Sequence, residues 1–223
     1  MKEKLTDEMI AMRVVKEFKD GNCVNLGTGL PLQCAQFIPE DRTIFIQAEN
    51  GVLGYGPLVL EDELDKAKTK YVEAGLNMFY PKDGMSLFDM DVSFDMIRSG
   101  RIDITVLGAF QVSEKGDLAN WNRPGDTSLA IGGGMDLAIG AKRVIIAMEH
   151  VSSKGEKKIL KECSYPLTAK NCVSLICSDI AVIEITDKGM VLKEFAPGWP
   201  AEDIQALTEP KLIIADDLKE IEL

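Results

Sequence analysis

A single carboxylate and three glycine clusters carry the clearest chemical signals in this sequence. Glu49 follows the apolar segment 43–48 and begins the sequence Glu-Asn-Gly, so a carboxylate stands where a strand-like run becomes a turn. Such a carboxylate can act as a base or a nucleophile, oriented by Asn50 and nearby backbone amides. A glutamate before Asn-Gly is also common in plain solvated turns, so this residue alone leaves both interpretations open.

The glycine clusters each follow an apolar, strand-like run. They lie at 27–31 (Gly-Thr-Gly-Leu-Pro), 51–57 (Gly-Val-Leu-Gly-Tyr-Gly-Pro) and 132–136 (Gly-Gly-Gly-Met-Asp). In open α/β sheets the loops beyond the carboxyl ends of the strands form the ligand crevice, where glycine lets backbone amides approach a ligand. Taken singly, each cluster is equally typical of a tight turn.

Nucleotide-binding motifs do not account for these glycines. The spacing of Gly51, Gly54 and Gly56 reverses the GxGxxG fingerprint, and Pro57 follows where a dinucleotide-binding helix would begin. A P-loop is excluded as well, because the sequence contains no Gly-Lys-Ser or Gly-Lys-Thr.

The elements that must position these residues alternate along the chain. Apolar, strand-like runs lie at 23–26, 43–46, 102–107, 144–148, 180–185 and 212–215, and helical patterns at 6–19, 31–38, 62–70, 91–98, 135–141 and 200–207. We therefore predict an α/β fold with a largely parallel, buried sheet, in one domain over residues 1–223. The polar stretch 152–158 is predicted to be a surface loop inside that domain, and the acidic segment 216–222 a solvated end.

Composition limits the class of protein. Lys and Arg number 25 against 36 Asp and Glu, and this net charge of −11 disfavours a nucleic-acid partner. Five cysteines without CxxC spacing and a single histidine make a disulfide framework or a zinc site improbable and favour a reducing compartment. Charged residues interrupt the apolar ones over residues 1–15, so we expect no signal peptide, no membrane span and a cytoplasmic location.

Five ordered motifs together resemble the β subunit of class I CoA-transferases of the 3-oxoacid and acetate/butyrate–acetoacetate type. They are Gly-Thr-Gly-Leu-Pro at 27–31, Ala-Glu-Asn-Gly-Val-Leu-Gly at 48–54, Phe-Asp-Met-Ile-Arg at 94–98, the run from Asp103 to Trp121, and Gly-Gly-Gly-Met-Asp-Leu at 132–137. The resemblance extends over nearly the whole chain, from about residue 14 to residue 215.

The resemblance implies a covalent mechanism. Glu49 would attack the acyl-CoA carbonyl, and a glutamyl-CoA thioester would follow in a ping-pong sequence. The backbone amides of Gly133 and Gly134 would lie beside the reacting carbonyl. The candidate residues for binding the substrate or CoA are Gly132 from the same stretch, together with Asn50, Gly51, Gly27, Gly29 and Asn120 from the glycine-rich turns and the 115–121 loop.

The resemblance also implies a fold and a partner. The fold is a single three-layer domain, and the partner is a separate α subunit of related fold, in an α2β2 assembly or a multiple of it. Substrates would be an acyl-CoA and a small carboxylic acid such as acetoacetate, acetate, butyrate or succinate. CoA would be a substrate, with no metal, nucleotide or prosthetic group.

Departures from the family pattern mean that the resemblance does not fix which carboxylic acids are the substrates. Ala48 replaces the usual serine, Gly134 replaces the usual alanine, and residues 81–88 and 122–126 differ from the family's sequences. An acyl-CoA hydrolase using the same glutamate is one alternative, and a non-catalytic ligand-binding module on the same fold is another.

His150 is predicted to be structural or simply exposed. Residues 115–121 are predicted to form a structural loop, from which Asn120 and Trp121 could border the crevice.

Overall fold

The computed structural model describes residues 2–60, 63–65, 69–125 and 131–223. The helices are α1 (Asp7–Val15), α2 (Met90–Arg98), α3 (Gly134–Gly140) and α4 (Ala201–Leu207), and a 3₁₀ helix spans Leu30–Gln36. The strands are β1 (Cys23–Leu26), β2 (Phe45–Ala48), β3 (Val52–Leu53), β4 (Ser86–Leu87), β5 (Ile104–Leu107), β6 (Gln111–Ser113), β7 (Leu118–Ala119), β8 (Arg143–Met148), β9 (Ile159–Leu160), β10 (Val173–Ser178), β11 (Ala181–Thr186), β12 (Gly189–Phe195) and β13 (Ile213–Glu220).

A mixed sheet with a parallel centre organises the described part of the chain. Its strand order is β13-β12-β11-β10-β8-β5-β1-β2-β3-β4. The central strands β10, β8, β5, β1 and β2 are paired in parallel with one another. Antiparallel pairs β10–β11, β11–β12, β2–β3 and β3–β4 extend the sheet on both sides, and β13 pairs parallel with β12 at one edge. All the central parallel strands therefore present their carboxyl ends to the same edge.

Helices cover both faces of the sheet, which gives three layers. Helix α1 and the 3₁₀ helix bury Ile10, Val14 and Leu32 against one face. Helices α2, α3 and α4 bury their apolar residues, among them Ile97 and Leu137, against the other. Because the central strands are covered on both sides, β5 and β8 consist almost wholly of buried residues, as parallel strands commonly do.

A second, three-stranded sheet lies beyond the end of β5, in the order β7-β6-β9. Its buried residues Val112, Leu118 and Ile159 belong to the same apolar cluster as α2 and α3. This small sheet carries the loop that ends at Asn120 and the strand that follows the 152–158 loop, so it forms a wall next to the carboxyl ends of the central strands.

The predicted α/β class with a largely parallel sheet in one three-layer domain is confirmed. Thr6 caps α1 by accepting a hydrogen bond from the Met9 N–H (3.3 Å). The segment 31–38 is helical over most of its length, in the tighter 3₁₀ form. Strands β10 and β12 were not predicted, because neither stands apart from its neighbours in the apolar pattern; β12 alternates buried and partly buried residues.

The acidic segment 216–222 corrects one expectation. Most of it belongs to β13, whose backbone pairs with β12 while most of its side chains stay exposed. The start of β13 coincides with the predicted strand-like run at 212–215. Backbone hydrogen bonding at a sheet edge does not require apolar side chains, so composition alone could not reveal the acidic remainder of the strand. Of the predicted helix at 62–70, residues 62 and 66–68 lie outside the described residues, and residues 63–65 form a short turn. Asp126 lies outside them too.

A buried ion cluster fixes α1 to the sheet. Arg13 donates hydrogen bonds to both carboxylate oxygens of Glu194 on β12, at 2.6 and 2.8 Å. It also donates to Glu17 at 2.8 Å, and Arg143 on β8 pairs with the other oxygen of Glu17 at 2.7 Å. Burial alone would raise the pKa of Glu17, but the hydrogen bonds from the two arginines lower it. Each buried charge therefore depends on its partner.

Replacing Arg13 by methionine should lower the free energy of unfolding by about 3–5 kcal/mol, because the Glu194 carboxylate would stay buried without its cation. Urea denaturation at neutral pH measures this change. The control is Lys193→Met, which breaks an exposed pair with Asp217 and should leave the unfolding midpoint unchanged. Equal shifts in the two variants would contradict the role given to the buried cluster.

His150 is fully buried just after β8, in agreement with a structural role. Its Nδ1 lies 2.9 Å from the Ser178 Oγ and its Nε2 lies 2.9 Å from the Thr208 Oγ1. Its backbone N–H donates to Asp179, which also pairs with Lys4. Burial lowers the pKa of His150 from 6.5 to about 4, so the imidazole is neutral at physiological pH.

This lowered pKa predicts an acid-sensitive term in stability. Between pH 6.5 and pH 4 the unfolded chain binds a proton at His150 and the folded chain does not, so stability falls as the pH falls through that range. The contribution should reach about 1.4 kcal/mol per pH unit. Urea denaturation at several pH values in this range, compared with the same series for His150→Gln, isolates it. A variant with the wild-type slope would rule out His150 as the source.

Candidate active site

A cleft opens at the carboxyl ends of four neighbouring parallel strands. The residues that follow these strands line it: Gly27 after β1, Glu49 after β2, Gly108 after β5 and Glu149 after β8. Its volume is about 1460 Å³. The 132–134 glycines, Asn120 and the 152–158 loop complete its walls. The crevice is where the parallel topology predicts a ligand site.

One hydrogen bond joins the two most informative sequence signals. The Gly133 N–H donates to the Glu49 Oε1 at 3.1 Å. A Cβ on Gly133 would stand 2.9 Å from the Glu49 Cδ, closer than side chains normally approach. Glycine at this position therefore lets the backbone rest directly against the carboxylate.

Glu49 is half-buried, and its electrostatic surroundings oppose its charge. Burial raises the pKa of Glu49 above its ordinary value of 4.5, while the hydrogen bond from Gly133 lowers it. The nearby carboxylates of Glu73 and Asp136 raise it further. A carboxylate that has lost part of its hydration and is held by one backbone donor can serve as a nucleophile or as a base in a ligand cleft.

A tight turn holds Glu49 at this point. The Gly51 N–H donates to the Ala48 carbonyl at 3.0 Å, which closes the turn over Glu49 and Asn50. Gly51 has a positive φ of 104°, and a Cβ there would stand 2.0 Å from the Phe88 carbonyl oxygen, so only glycine fits. The Asn50 side chain points to the loop behind and donates to the Val72 carbonyl at 2.9 Å. Neither Asn50 nor Gly51 lines the cleft; both shape the turn.

The three glycines at 132–134 have different roles. Gly132 has a positive φ of 50° and would place a Cβ 3.4 Å from the Glu49 Oε1. Gly133 donates to Glu49. Gly134 begins α3 and donates its N–H to the Ile131 carbonyl at 3.0 Å, so that group is not directed at Glu49. A Cβ on Gly134 would reach only the Asn120 Oδ1, at 4.0 Å.

The remaining predicted residues lie at or behind the cleft wall. Gly27 lines the cleft and lies close to β5, since a Cβ there would stand 3.2 Å from the Val106 carbonyl oxygen. Gly29 does not line the cleft; with φ at 80° it starts the 3₁₀ helix. Asn120 lines the cleft and bridges two walls, because its Nδ2 donates to the Gly108 carbonyl at 3.1 Å. Trp121 lines the cleft as well.

Two residues at the site carried no signal in the sequence. Glu73 is almost fully buried, and its carboxylate accepts hydrogen bonds from the Gly75 N–H (2.7 Å), the Asn77 N–H and the Asn77 side chain (both 2.8 Å). Thr168 donates its hydroxyl to the Asn120 Oδ1 at 2.6 Å. Both residues lie in irregular segments, where the pattern of apolar residues does not predict which side chains approach the cleft. Only the folded chain therefore reveals them.

The described residues contain no group of three or more His, Cys, Asp or Glu side chains that could hold a metal ion. No helix among them is long and apolar enough to cross a membrane. What the cleft does offer is a half-buried carboxylate, one backbone donor against it and a large open volume beside it, which suits attack on a carbonyl carbon.

Comparison with known proteins identifies a matching family and full-length relatives. Residues 7–207 match the family model of coenzyme A transferase. The chain is 43% identical over 216 residues to the beta chain of the acetate CoA-transferase of Haemophilus influenzae, covering 97% of this chain and 95% of that one. It is 40% identical over 213 residues to one of the subunits of the 3-oxoadipate CoA-transferase of Acinetobacter baylyi, covering 95% and 97%.

A solved structure has the same fold. The apoenzyme of an acyl-CoA transferase (YdiF) from Escherichia coli O157:H7 superposes with a TM-score of 0.75 at 18% identity. The match covers 98% of this chain and 43% of that one, so this chain spans less than half the length of that structure. At this identity the likeness concerns the fold alone.

The contact between Gly133 and Glu49 generates a prediction that does not depend on any activity. Gly133→Ala should displace the Glu49 carboxylate and remove the hydrogen bond that lowers its pKa, so the pKa of Glu49 should rise further. The pH midpoint of carbodiimide labelling at the Glu49 peptide, followed by mass spectrometry, reports it. Gly134→Ala is the matched control and should leave the midpoint unchanged, since its Cβ meets nothing closer than 4.0 Å. A midpoint unmoved in Gly133→Ala would contradict this contact.

Proposed function

The chain belongs to the coenzyme A transferase family, and from that premise we propose that it is the catalytic β subunit of a class I CoA-transferase. It would move CoA between an acyl-CoA and a free carboxylic acid. The observation that carries the proposal is the position of Glu49, a half-buried carboxylate at the end of a parallel strand, held against the Gly133 N–H in an open cleft.

The proposed mechanism uses Glu49 as a nucleophile. Its carboxylate attacks the carbonyl of the acyl-CoA, forming an acyl-glutamyl anhydride and expelling the CoA thiolate. The thiolate then attacks the glutamyl carbonyl, which forms a glutamyl-CoA thioester and releases the first acid as its carboxylate. A second carboxylate attacks the thioester, and the same two steps in reverse deliver the new acyl-CoA. The kinetics would be ping-pong.

Gly133 would supply electrostatic stabilisation. Attack on the glutamyl carbonyl converts that oxygen into an oxyanion, and the Gly133 N–H already lies 3.1 Å from a Glu49 oxygen. A preorganised donor of this kind is typically worth about 3–4 kcal/mol in the transition state. Because the donor is part of the backbone, it needs no reorganisation when the charge develops.

A second type of chain is part of the proposal. The two relatives described above are each named as one subunit of a CoA-transferase, and we propose that this chain likewise pairs with a separate α subunit, in an α2β2 assembly or a multiple of it. The α subunit would supply further contacts to CoA and the acyl group. CoA enters as a substrate, and the mechanism requires no metal or prosthetic group.

The acids themselves are proposed as a class. Acetoacetate or a short-chain acid such as acetate, butyrate or succinate fits a cleft of this kind. The two relatives above are named for different acids, acetate and 3-oxoadipate, so relatives at about this identity differ in substrate. The choice of acid depends on contacts around the acyl group, which the shared mechanism leaves free to vary.

Peptide mass spectrometry tests the covalent step. The chain, purified with its partner subunit, is incubated with acetoacetyl-CoA or butyryl-CoA and treated with borohydride, which reduces a glutamyl thioester to an alcohol. The mass change should be confined to the Glu49 peptide and should disappear when a free acid is added before reduction. CoA released steadily without an acceptor acid would indicate a hydrolase. The absence of any labelled peptide would favour a binding module.

Substitution of Glu49 provides the matching prediction. Glu49→Ala should abolish transfer without unfolding the chain. Glu49→Asp should also fail, because a carboxylate withdrawn by one methylene no longer reaches the attacking position. The control is Glu184→Asp on the exposed side of β11, which should retain wild-type activity. Transfer retained in Glu49→Ala would refute the covalent mechanism. Initial rates with acetoacetyl-CoA and an acceptor acid measure all three variants.

A further inference from the structure

A chain of buried polar side chains lies directly beneath the Glu49 turn. The Asn25 Nδ2 on β1 donates to the Gln47 Oε1 on β2 at 2.7 Å, and also to the Gln47 backbone carbonyl at 3.1 Å. The Gln47 Nε2 donates to the Ser93 Oγ on α2 at 2.6 Å. All three residues are at most 1% exposed. This polar chain links two central strands to the helix that covers them.

The polar chain ends on the peptide that carries Glu49. The Ser93 Oγ donates to the Ala48 carbonyl at 3.2 Å, and the Gly51 N–H donates to the same oxygen. On the other side of the turn, the Phe88 N–H, just before α2, donates to the Gly51 carbonyl at 3.0 Å. The start of α2 therefore holds the turn at both ends, and Glu49 lies between the two attachments.

Stability alone does not call for polar groups in this place. Asn25 pairs across the sheet with two further buried polar residues, Gln47 and Thr105, and buried polar groups are favourable only when every partner is satisfied. Here the Asn25 Oδ1 and the Thr105 Oγ1 on the adjoining strand have no hydrogen-bond partner among the described residues. Because this network is imperfectly satisfied, its burial does not explain why polar side chains stand here. The explanation lies in the hydrogen bonds themselves, which fix the position of the Glu49 turn.

We propose that Ser93 is a positioning residue for Glu49, with Gln47 and Asn25 orienting its hydroxyl. Its hydrogen bond to the Ala48 carbonyl sets the position of the turn at which the Glu49 carboxylate meets the Gly133 N–H. Ser93 does not line the cleft and contacts no reacting atom, so it acts only through the backbone. The kinetic part of this inference rests on the proposed function; the geometric part does not.

The test compares variants that remove or weaken the two hydrogen bonds of the Ser93 hydroxyl, to the Ala48 carbonyl and from the Gln47 Nε2. Ser93→Ala removes the hydroxyl, and Ser93→Cys keeps a side chain of similar size with a much weaker donor. Both should lower kcat by about ten- to hundredfold, because small misplacements of a reacting group cost that much, while KM changes by less than about threefold. Ser99→Ala at the end of the same helix removes an exposed hydroxyl bonded to the Met96 carbonyl and should change neither constant.

A second measurement separates this proposal from the proposed function. In Ser93→Ala the hydrogen bond from the Gly133 N–H to the Glu49 carboxylate should weaken. Because that bond lowers the pKa of Glu49, the pH midpoint of carbodiimide labelling at Glu49 should rise in the full chain. If the wild-type chain with its partner subunit shows no transferase activity but Ser93→Ala still raises the midpoint, the positioning role is supported and the proposed function is refuted. If both folded Ser93 variants keep the wild-type midpoint and kcat, the positioning role is overturned. An equal loss of kcat in Ser99→Ala would overturn it too.

Discussion

The hydrogen bond from the Gly133 N–H to the Glu49 carboxylate joins residues 84 positions apart, and much of the architecture serves to bring them together. Glu49 follows β2, and Gly133 precedes α3, which packs on one face of the sheet beyond β5. Parallel strands deliver their carboxyl ends to one edge, so a side chain after β2 and a loop that crosses over toward β8 meet there. An antiparallel arrangement of the same segments would have separated them.

The site holds a carboxylate in a state that water would not favour. Burial and the neighbouring carboxylates of Glu73 and Asp136 raise the pKa of Glu49, and the Gly133 hydrogen bond opposes them. The half-buried position limits competing solvent, while the backbone donor keeps the charged form accessible. These opposed effects act on one functional group, which is why a single added Cβ on Gly133 would disturb both the geometry and the electrostatics of the cleft.

The ion pairs and hydrogen bonds that hold the scaffold together lie apart from the candidate site. The Arg13–Glu194 cluster fastens α1 to the sheet on one face, and His150 fills a buried site between β8, the end of β10 and α4. Neither touches Glu49. By contrast, Asn25, Gln47 and Ser93 lie under the Glu49 turn, where the Asn25 Oδ1 and the Thr105 Oγ1 have no partner within the described part of the chain. A rigid apolar scaffold can accommodate such a local cost, because its two large apolar clusters do not depend on it.

The sequence by itself determined the fold class, most central strands and the chemical signals at Glu49 and 132–134, because apolar periodicity and glycine-rich turns are local properties. The folded chain decided which signals meet: Gly133 bonds Glu49, whereas Gly134 bonds Ile131 and Asn50 turns away from the cleft. It also supplied Glu73, Thr168 and Ser93, whose contributions arise from contacts that the chain makes only when folded. The acidic second half of β13 and the polar chain beneath Glu49 could not be predicted from the sequence for the same reason, since backbone pairing and buried hydrogen bonds depend on partners that only tertiary structure provides.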